Sequence, residues 1–133
     1  MLRHHFMEHF NLQEIISQVH ERWSKSFTPL SPKAMAQNYT QDAVLFGSAI
    51  PPFVGREAVQ SYFEQLPKGL YKGVEFTSEY LVQLTSDVIS MAGTAKFLRH
   101  QTDPLEVRIT HIIVLRDGQW LIASHHVSPK VIL

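Results

Sequence analysis

The dipeptide Asp117-Gly118 joins two alternating segments, Glu106-Val107-Arg108-Ile109-Thr110-His111-Ile112-Ile113-Val114-Leu115 and Gln119-Trp120-Leu121-Ile122-Ala123-Ser124-His125-His126-Val127-Ser128. This stretch decides the fold. Asp-Gly accepts the left-handed backbone that a tight hairpin demands, so each flanking segment reads as a strand. The same two-residue period continues upstream. Val88–Arg99 forms another long strand, joined through Ser86-Asp87 to a segment where Val74, Phe76, Tyr80, Val82 and Leu84 alternate with Glu75, Thr77, Glu79 and Gln83. The result is four antiparallel strands in a meander.

Ahead of the sheet the period lengthens to that of a helix. Leu12, Ile15, Ile16, Val19, Trp23 and Phe27 share one face, with Asn11 as N-cap and Glu14 reaching back to it. Thr28-Pro29-Leu30-Ser31-Pro32 ends that helix. Ser31 as cap and Pro32 at the first position open a second, carrying Met35 and Tyr39 and finishing near Thr40. Ala43–Phe46 is a short strand, broken by Gly47-Ser48, and Pro51-Pro52 confine the next few residues to an edge or loop. Gly55 precedes a third helix bearing Val59, Tyr62, Phe63 and Leu66, stopped by Pro67-Lys68-Gly69. Three helices before a meander predict an α+β fold, with the helices packed on one face of a curved antiparallel sheet. Residues 1–10 read as a flexible N-terminus and 11–133 as a single domain.

Composition narrows the function classes. The 133 residues are 44% hydrophobic, enough for one domain with a substantial core. Twelve basic and twelve acidic residues cancel, which argues against a nucleic-acid or anionic-membrane surface. Without cysteine there is no disulfide, thiolate nucleophile or Cys-type zinc site, and a reducing compartment fits. Apolar runs are far below the roughly 20 residues of a membrane span, and the N-terminus lacks a signal-peptide block. A soluble, cytoplasmic protein is expected.

Three blocks carry a resemblance. Tyr39-Thr40-Gln41-Asp42-Ala43-Val44 resembles a Y-x-x-D-A-hydrophobic signature, and Gly55-Arg56-Glu57-Ala58-Val59 a G-x-E-A-I helix start. Asp117-Gly118-Gln119-Trp120-Leu121-Ile122 with His126 and Ser128 resembles a D-G-x-W-x-I…H-x-S ending. In this order they resemble the nuclear transport factor 2-like superfamily, in its SnoaL-like branch, and within it the association domain of calcium/calmodulin-dependent protein kinase II. The resemblance covers roughly Leu12 to Pro129. It implies a cystatin-like cone whose helices and concave sheet face enclose a pocket, and whose convex face forms a homodimer or a higher oligomer. Function cannot be deduced from this fold, which hosts enzymes, binding modules and oligomerisation domains.

Register decides which side chains enter the cone. A two-residue Asp117-Gly118 turn puts His111 on one face with Trp120 and Ser124, whereas a three-residue Arg116-Asp117-Gly118 loop puts it with Leu121, Ala123 and His125. The resemblance favours the second. The expected inward set is therefore Ile109, His111, Ile113, Leu121, Ala123, His125 and Val127, with Met91, Gly93, Ala95 and Phe97 beside it. Trp23, Tyr39 and Phe63 close the other wall, and Phe46 lies near the mouth. Positions matching pocket arginines of the kinase association domain read Ala95, His111 and Val127, which implies a neutral or apolar guest. Trp120, Ile122, His126, Ile112 and Val114 fall outside, as a patch for a partner copy.

His111 and His125 are the candidate acid–base groups, because imidazole titrates near neutrality. The competing reading is a buried pair satisfied by hydroxyls such as Tyr39 and Thr110. Counting from Asp42-Ala43, the base of the steroid-isomerase relatives falls on Gly47, and the last strand has no carboxylate like that of the polyketide cyclases. Asp42 reads as a turn cap, and Glu57 and Glu64 as a solvated helix face. No nucleophile motif frames Ser48, Ser124 or Ser128, and His4, His5 and His9 make only an N-terminal cluster. No metal site and no cofactor are expected. A dimeric binding protein for a small, neutral or apolar organic ligand is the first expectation. An isomerase, cyclase or dehydratase using a pocket histidine, and an association module with a vestigial cavity, are the alternatives.

Overall fold

The computed structural model of the chain describes residues 2–47 and 51–131, with side chains from Leu12 onward. The elements run α1 (Leu2–Phe27), α2 (Pro32–Ala36), β1 (Tyr39–Phe46), β2 (Phe53–Val54), α3 (Arg56–Glu64), β3 (Tyr71–Thr85), β4 (Val88–Arg99), β5 (Leu105–Arg116) and β6 (Gln119–Pro129). Helix α1 extends well upstream of the expected start, so Asn11 lies inside it and does not cap it. The His4, His5 and His9 side chains and Ser48 lie outside the described residues.

Helix α1 buries Leu12, Ile16, Val19, Trp23 and Phe27, the stripe that its spacing predicts. It ends where Leu30 turns left-handed (φ 48°), with the Leu30 and Ser31 N–H groups bonded back to the Phe27 and Ser26 carbonyls. The Ser31 hydroxyl accepts the Ala34 N–H and Pro32 starts α2, as expected. Helix α2 stops at Ala36, so Tyr39 opens a strand and does not close a helix.

The six-stranded sheet has the order β2-β1-β6-β5-β4-β3. The expected meander β3–β6 is antiparallel throughout, and β1 joins it in parallel beside β6. Helix α1 packs across β3 and β6, while α3 packs on β1 and α2, so the core lies between the helices and the concave face. Two side chains fix the start of β1. Arg56 donates from Nε and Nη2 to the Tyr39 carbonyl (3.0 and 2.6 Å), beside a break in the β1 ladder. Arg22 bonds Asn38 Oδ1 and the Trp120 carbonyl, and the Asn38 carbonyl accepts the Ile122 N–H.

The turn differs from expectation. Arg116 pairs with Gln119, so the loop has two residues, with Asp117 and Gly118 both left-handed (φ 53° and 75°). The extra residue enters β6 as a bulge at Ala123, because Ile113 pairs with Ile122 while Ile112 pairs with Ser124. Beyond the bulge His125 and Val127 face inward as expected, opposite His111 and Ile109. Before it every assignment reverses. Ile122 is fully buried in the core with Trp120 packed against it, and Leu121 moves to the outer face opposite Val114. A second bulge in β3, between Ser78 and Tyr80, brings the Thr77 carbonyl over Gly93, where a Cβ would stand 2.0 Å from its oxygen. Only glycine fits there.

Asp42 is a strand residue whose carboxylate accepts from Arg116 Nη1 at 2.8 Å in an exposed pair, not a turn cap. No helix among the described residues is long and apolar enough to cross a membrane.

Candidate active site in the cone

A cavity of about 210 Å3 opens between α1, α3 and the concave face. Trp23 and Phe27 come from α1, and Tyr62 and Phe63 from α3, with Leu66 just beyond it. The sheet contributes Tyr71, Phe76, Ala95, Phe97, Leu105, Val107, Ile109, His125, Val127 and, from β1, Leu45. None of these side chains carries a full charge. Ala95, paired across from Phe76 and Val107, contributes only a methyl group and so leaves room. The volume exceeds the roughly 150 Å3 of an engineered apolar cavity that takes benzene.

One ordered chain of polar groups reaches this space. The Trp23 indole N–H donates to the Tyr39 hydroxyl at 2.9 Å, and that oxygen lies 2.8 Å from His125 Nδ1. The Tyr39 and His125 ring planes are nearly parallel, 8° apart. Tyr39 itself is completely buried behind the cavity wall. Burial pushes its phenol pKa up, against the partly opposing hydrogen bond from Trp23.

His111 sits next to His125, ring centroids 4.4 Å apart and edge to face, but does not line the cavity. It is fully buried, with Nδ1 3.2 Å from His20 Nε2 and its own Nε2 unpartnered among the described residues. His20 stacks on Phe76 at 4.2 Å and borders a separate, open groove between α1 and β3. Desolvation lowers all three histidines: His20 to about 4, His125 to about 3, and His111 well below its ordinary value. Near neutral pH all three are uncharged.

Of the residues singled out from sequence, Trp23, Phe63, Ala95, Phe97, Ile109, His125 and Val127 line the cavity. Met91 and Ile113 point inward but are packed solidly beside His111. Leu121 and Ala123 leave the lining because of the bulge. Phe46 is half-exposed on the outer face against His126, 5.6 Å between ring centroids, and not at the mouth. Sequence reasoning missed the other lining residues, Phe27, Leu45, Tyr62, Leu66, Tyr71, Phe76, Leu105 and Val107. It also missed His20, which one signal gave away: it lies four residues after Ile16 and three before Trp23, on the buried face of α1. No three His, Asp or Glu side chains among the described residues converge as metal ligands would.

No curated protein matches the chain. Solved structures do. A nuclear transport factor 2-like protein of unknown function from Shewanella oneidensis is 20% identical, with TM-score 0.75 over 87% of this chain and 98% of that one. A domain of unknown function with a cystatin-like fold from Nostoc punctiforme is 15% identical, with TM-score 0.77 over 92% of this chain and 80% of that one. A protein described as a calcium/calmodulin-dependent protein kinase II association domain from Xanthomonas campestris is 26% identical, with TM-score 0.71 over 89% and 87%. The sequence model of the SnoaL-like domain matches residues 16–132, and the chain belongs to that family.

Proposed function

We propose that this chain is a small-molecule-binding protein, acting as a homodimer, whose cavity holds a small uncharged ligand with a mostly apolar body. The observation that carries this reading is the cavity itself: aromatic and aliphatic walls and, among the described residues, no charged side chain and one histidine turned into it. Ala95 and Val127, where the resemblance puts cations, make the walls unsuited to a carboxylate.

Val127→Phe tests it, because the larger side chain fills the space from the last strand. One-ring aromatic probes should bind the wild type in ligand-detected NMR and lose at least about tenfold in affinity in the variant. Equal binding by both proteins, or by neither, refutes the reading; binding by neither leaves the association module ahead.

A second copy covers the outer sheet face in this proposal. Tyr80 (69% exposed), Val82 (53%) and Phe46 (51%) stand there with the half-buried Ile112 and Val114. The bulge removes Trp120 and Ile122 from that patch, so the pairing rests on β3 and β5 residues with Phe46 of β1 instead. Sedimentation should show a dimer at micromolar concentration, and Tyr80→Glu should weaken it; a wild-type monomer refutes this part.

The enzymatic alternative has one observation in its favour, the Tyr39 hydroxyl that orients the His125 imidazole. His111 has no such role, being sealed from the cavity. Hydrogen–deuterium exchange at the carbon beside the carbonyl of a bound ketone, lost in His125→Phe, is the result that this alternative requires.

A further inference from the structure

The direction of the hydrogen bonds behind the cavity wall specifies which ligands it accepts. Indole nitrogen is a donor only, so at 2.9 Å Trp23 Nε1–H must occupy a lone pair of the Tyr39 oxygen. Tyr39 is sealed from solvent, and its own O–H therefore needs an acceptor inside the protein. Among the described residues the one within reach is His125 Nδ1, at 2.8 Å. The opposite arrangement, Nδ1–H donating to the phenol, strands the Tyr39 proton in the core without an acceptor. Nδ1 is thus the acceptor, and a neutral imidazole with Nδ1 accepting carries its proton on Nε2.

From this we infer that the chain Trp23→Tyr39→His125 locks His125 as the Nε2–H tautomer, and that the cavity selects uncharged ligands with a hydrogen-bond acceptor, such as an aromatic ketone or aldehyde. The inference rests on the cavity being a binding site. Of the other polar side chains in the lining, the Trp23 N–H is spent on Tyr39, and the Tyr62 and Tyr71 hydroxyls can rotate to give or accept a proton. Only His125 has a fixed sense. A hydrocarbon of the same shape leaves that donor unpaired, and a carboxylate loses its hydration in an apolar site. Tyr39 is then a specificity-positioning residue: sealed behind the wall and holding the Trp23 N–H on one lone pair, it fixes through its own O–H the sense of the imidazole that faces the ligand.

The experiment uses the full-length protein at pH 7 with three probes of one shape: acetophenone, ethylbenzene and benzoate. Nitrogen-15 NMR of the imidazole should show His125 neutral, with the proton on Nε2. Titration should give acetophenone about tenfold tighter binding than ethylbenzene, with benzoate weaker than both. In Tyr39→Phe the imidazole loses the O–H donor at Nδ1, so the tautomer should become mixed and the ketone preference should shrink. Should that variant not fold, the wild-type tautomer and the three affinities still decide. An Nδ1–H tautomer, or equal affinity for acetophenone and ethylbenzene, overturns the inference and leaves the binding reading standing. Failure of every probe to bind overturns both.

Discussion

The two ends of the concave face meet at the cross-strand pair His111–His125 and finish differently. At one end His125 is bonded through Nδ1 to Tyr39 and faces a cavity walled by Trp23, Phe63 and Phe97. At the other, His111 is packed among Met91, Ile113 and His20 outside the cavity lining, with one ring nitrogen unpartnered among the described residues. The rings are 4.4 Å apart. A face shared by alternation is therefore not a shared environment: the element laid across it decides whether the face is filled or left hollow. Helix α1 lays His20 against His111, whereas the gap over Ala95 and Val127 is walled by Trp23 and Phe27 of α1 and by Tyr62 and Phe63 of α3.

The largest expected effect is acid unfolding, because both ends hold uncharged imidazoles. An unfolded histidine takes up a proton near pH 6.5, while His20 does so only at about 4 and His125 at about 3 in the folded chain. Between those values the unfolded state binds more protons, so stability falls as the pH falls. It is complete above about pH 6.5 and drops by about 1.4 kcal/mol per pH unit for each such histidine below it. Urea melts from pH 7.5 to 4.5 should show a slope of several kcal/mol across that window. A flat profile between pH 7 and 5 would mean that the histidines are hydrated and that the two ends differ less than their packing indicates.

Truncation should separate the ends next. Ile113 is fully buried in the packed region, and Ile113→Ala leaves a hole worth about 2–5 kcal/mol in urea unfolding. Val127 already borders empty space and is only partly buried, so Val127→Ala should cost about 1 kcal/mol or less. Equal costs would show that the cavity wall is as tightly packed as the core.

Most of the fold was legible because it depends on local periodicity. The helix stripe on α1, the Ser31-Pro32 start of α2 and the position of the turn at Asp117-Gly118, though not its two-residue length, each concern neighbours in sequence. The parallel seating of β1 beside β6 pairs Leu45 with His125, eighty residues apart in chain order, and no local pattern announces it. The site was readable in part for the same reason. His125 and Val127 face inward because one extra residue lies between them and the start of the hairpin, and alternation is indifferent to where it sits. Placing it in the loop and not at Ala123 assigned Leu121, Ile122 and Trp120 to the wrong faces. Nothing in Ile122-Ala123-Ser124 marks a bulge, since none is glycine.

The smallest effect concerns His111 and is the most discriminating about what that residue is for. Among the described residues its Nε2 has no partner and its one bond is to His20, so it is an expensive polar group in a dry core. Methionine has similar bulk and adapts to irregular space among Met91, Ile113 and Phe76. His111→Met removes the orphaned atom, and His20, which borders the open groove, can exchange its lost partner for water. Stability at pH 7.5 should therefore stay within about 1 kcal/mol of the wild type, and the acid slope should lose one histidine's share, about 1.4 kcal/mol per pH unit. Probe binding in the cavity should be unchanged, since His111 does not touch it. A loss of binding with stability intact would show that His111 acts on the ligand through His125, and would join the two ends into one site.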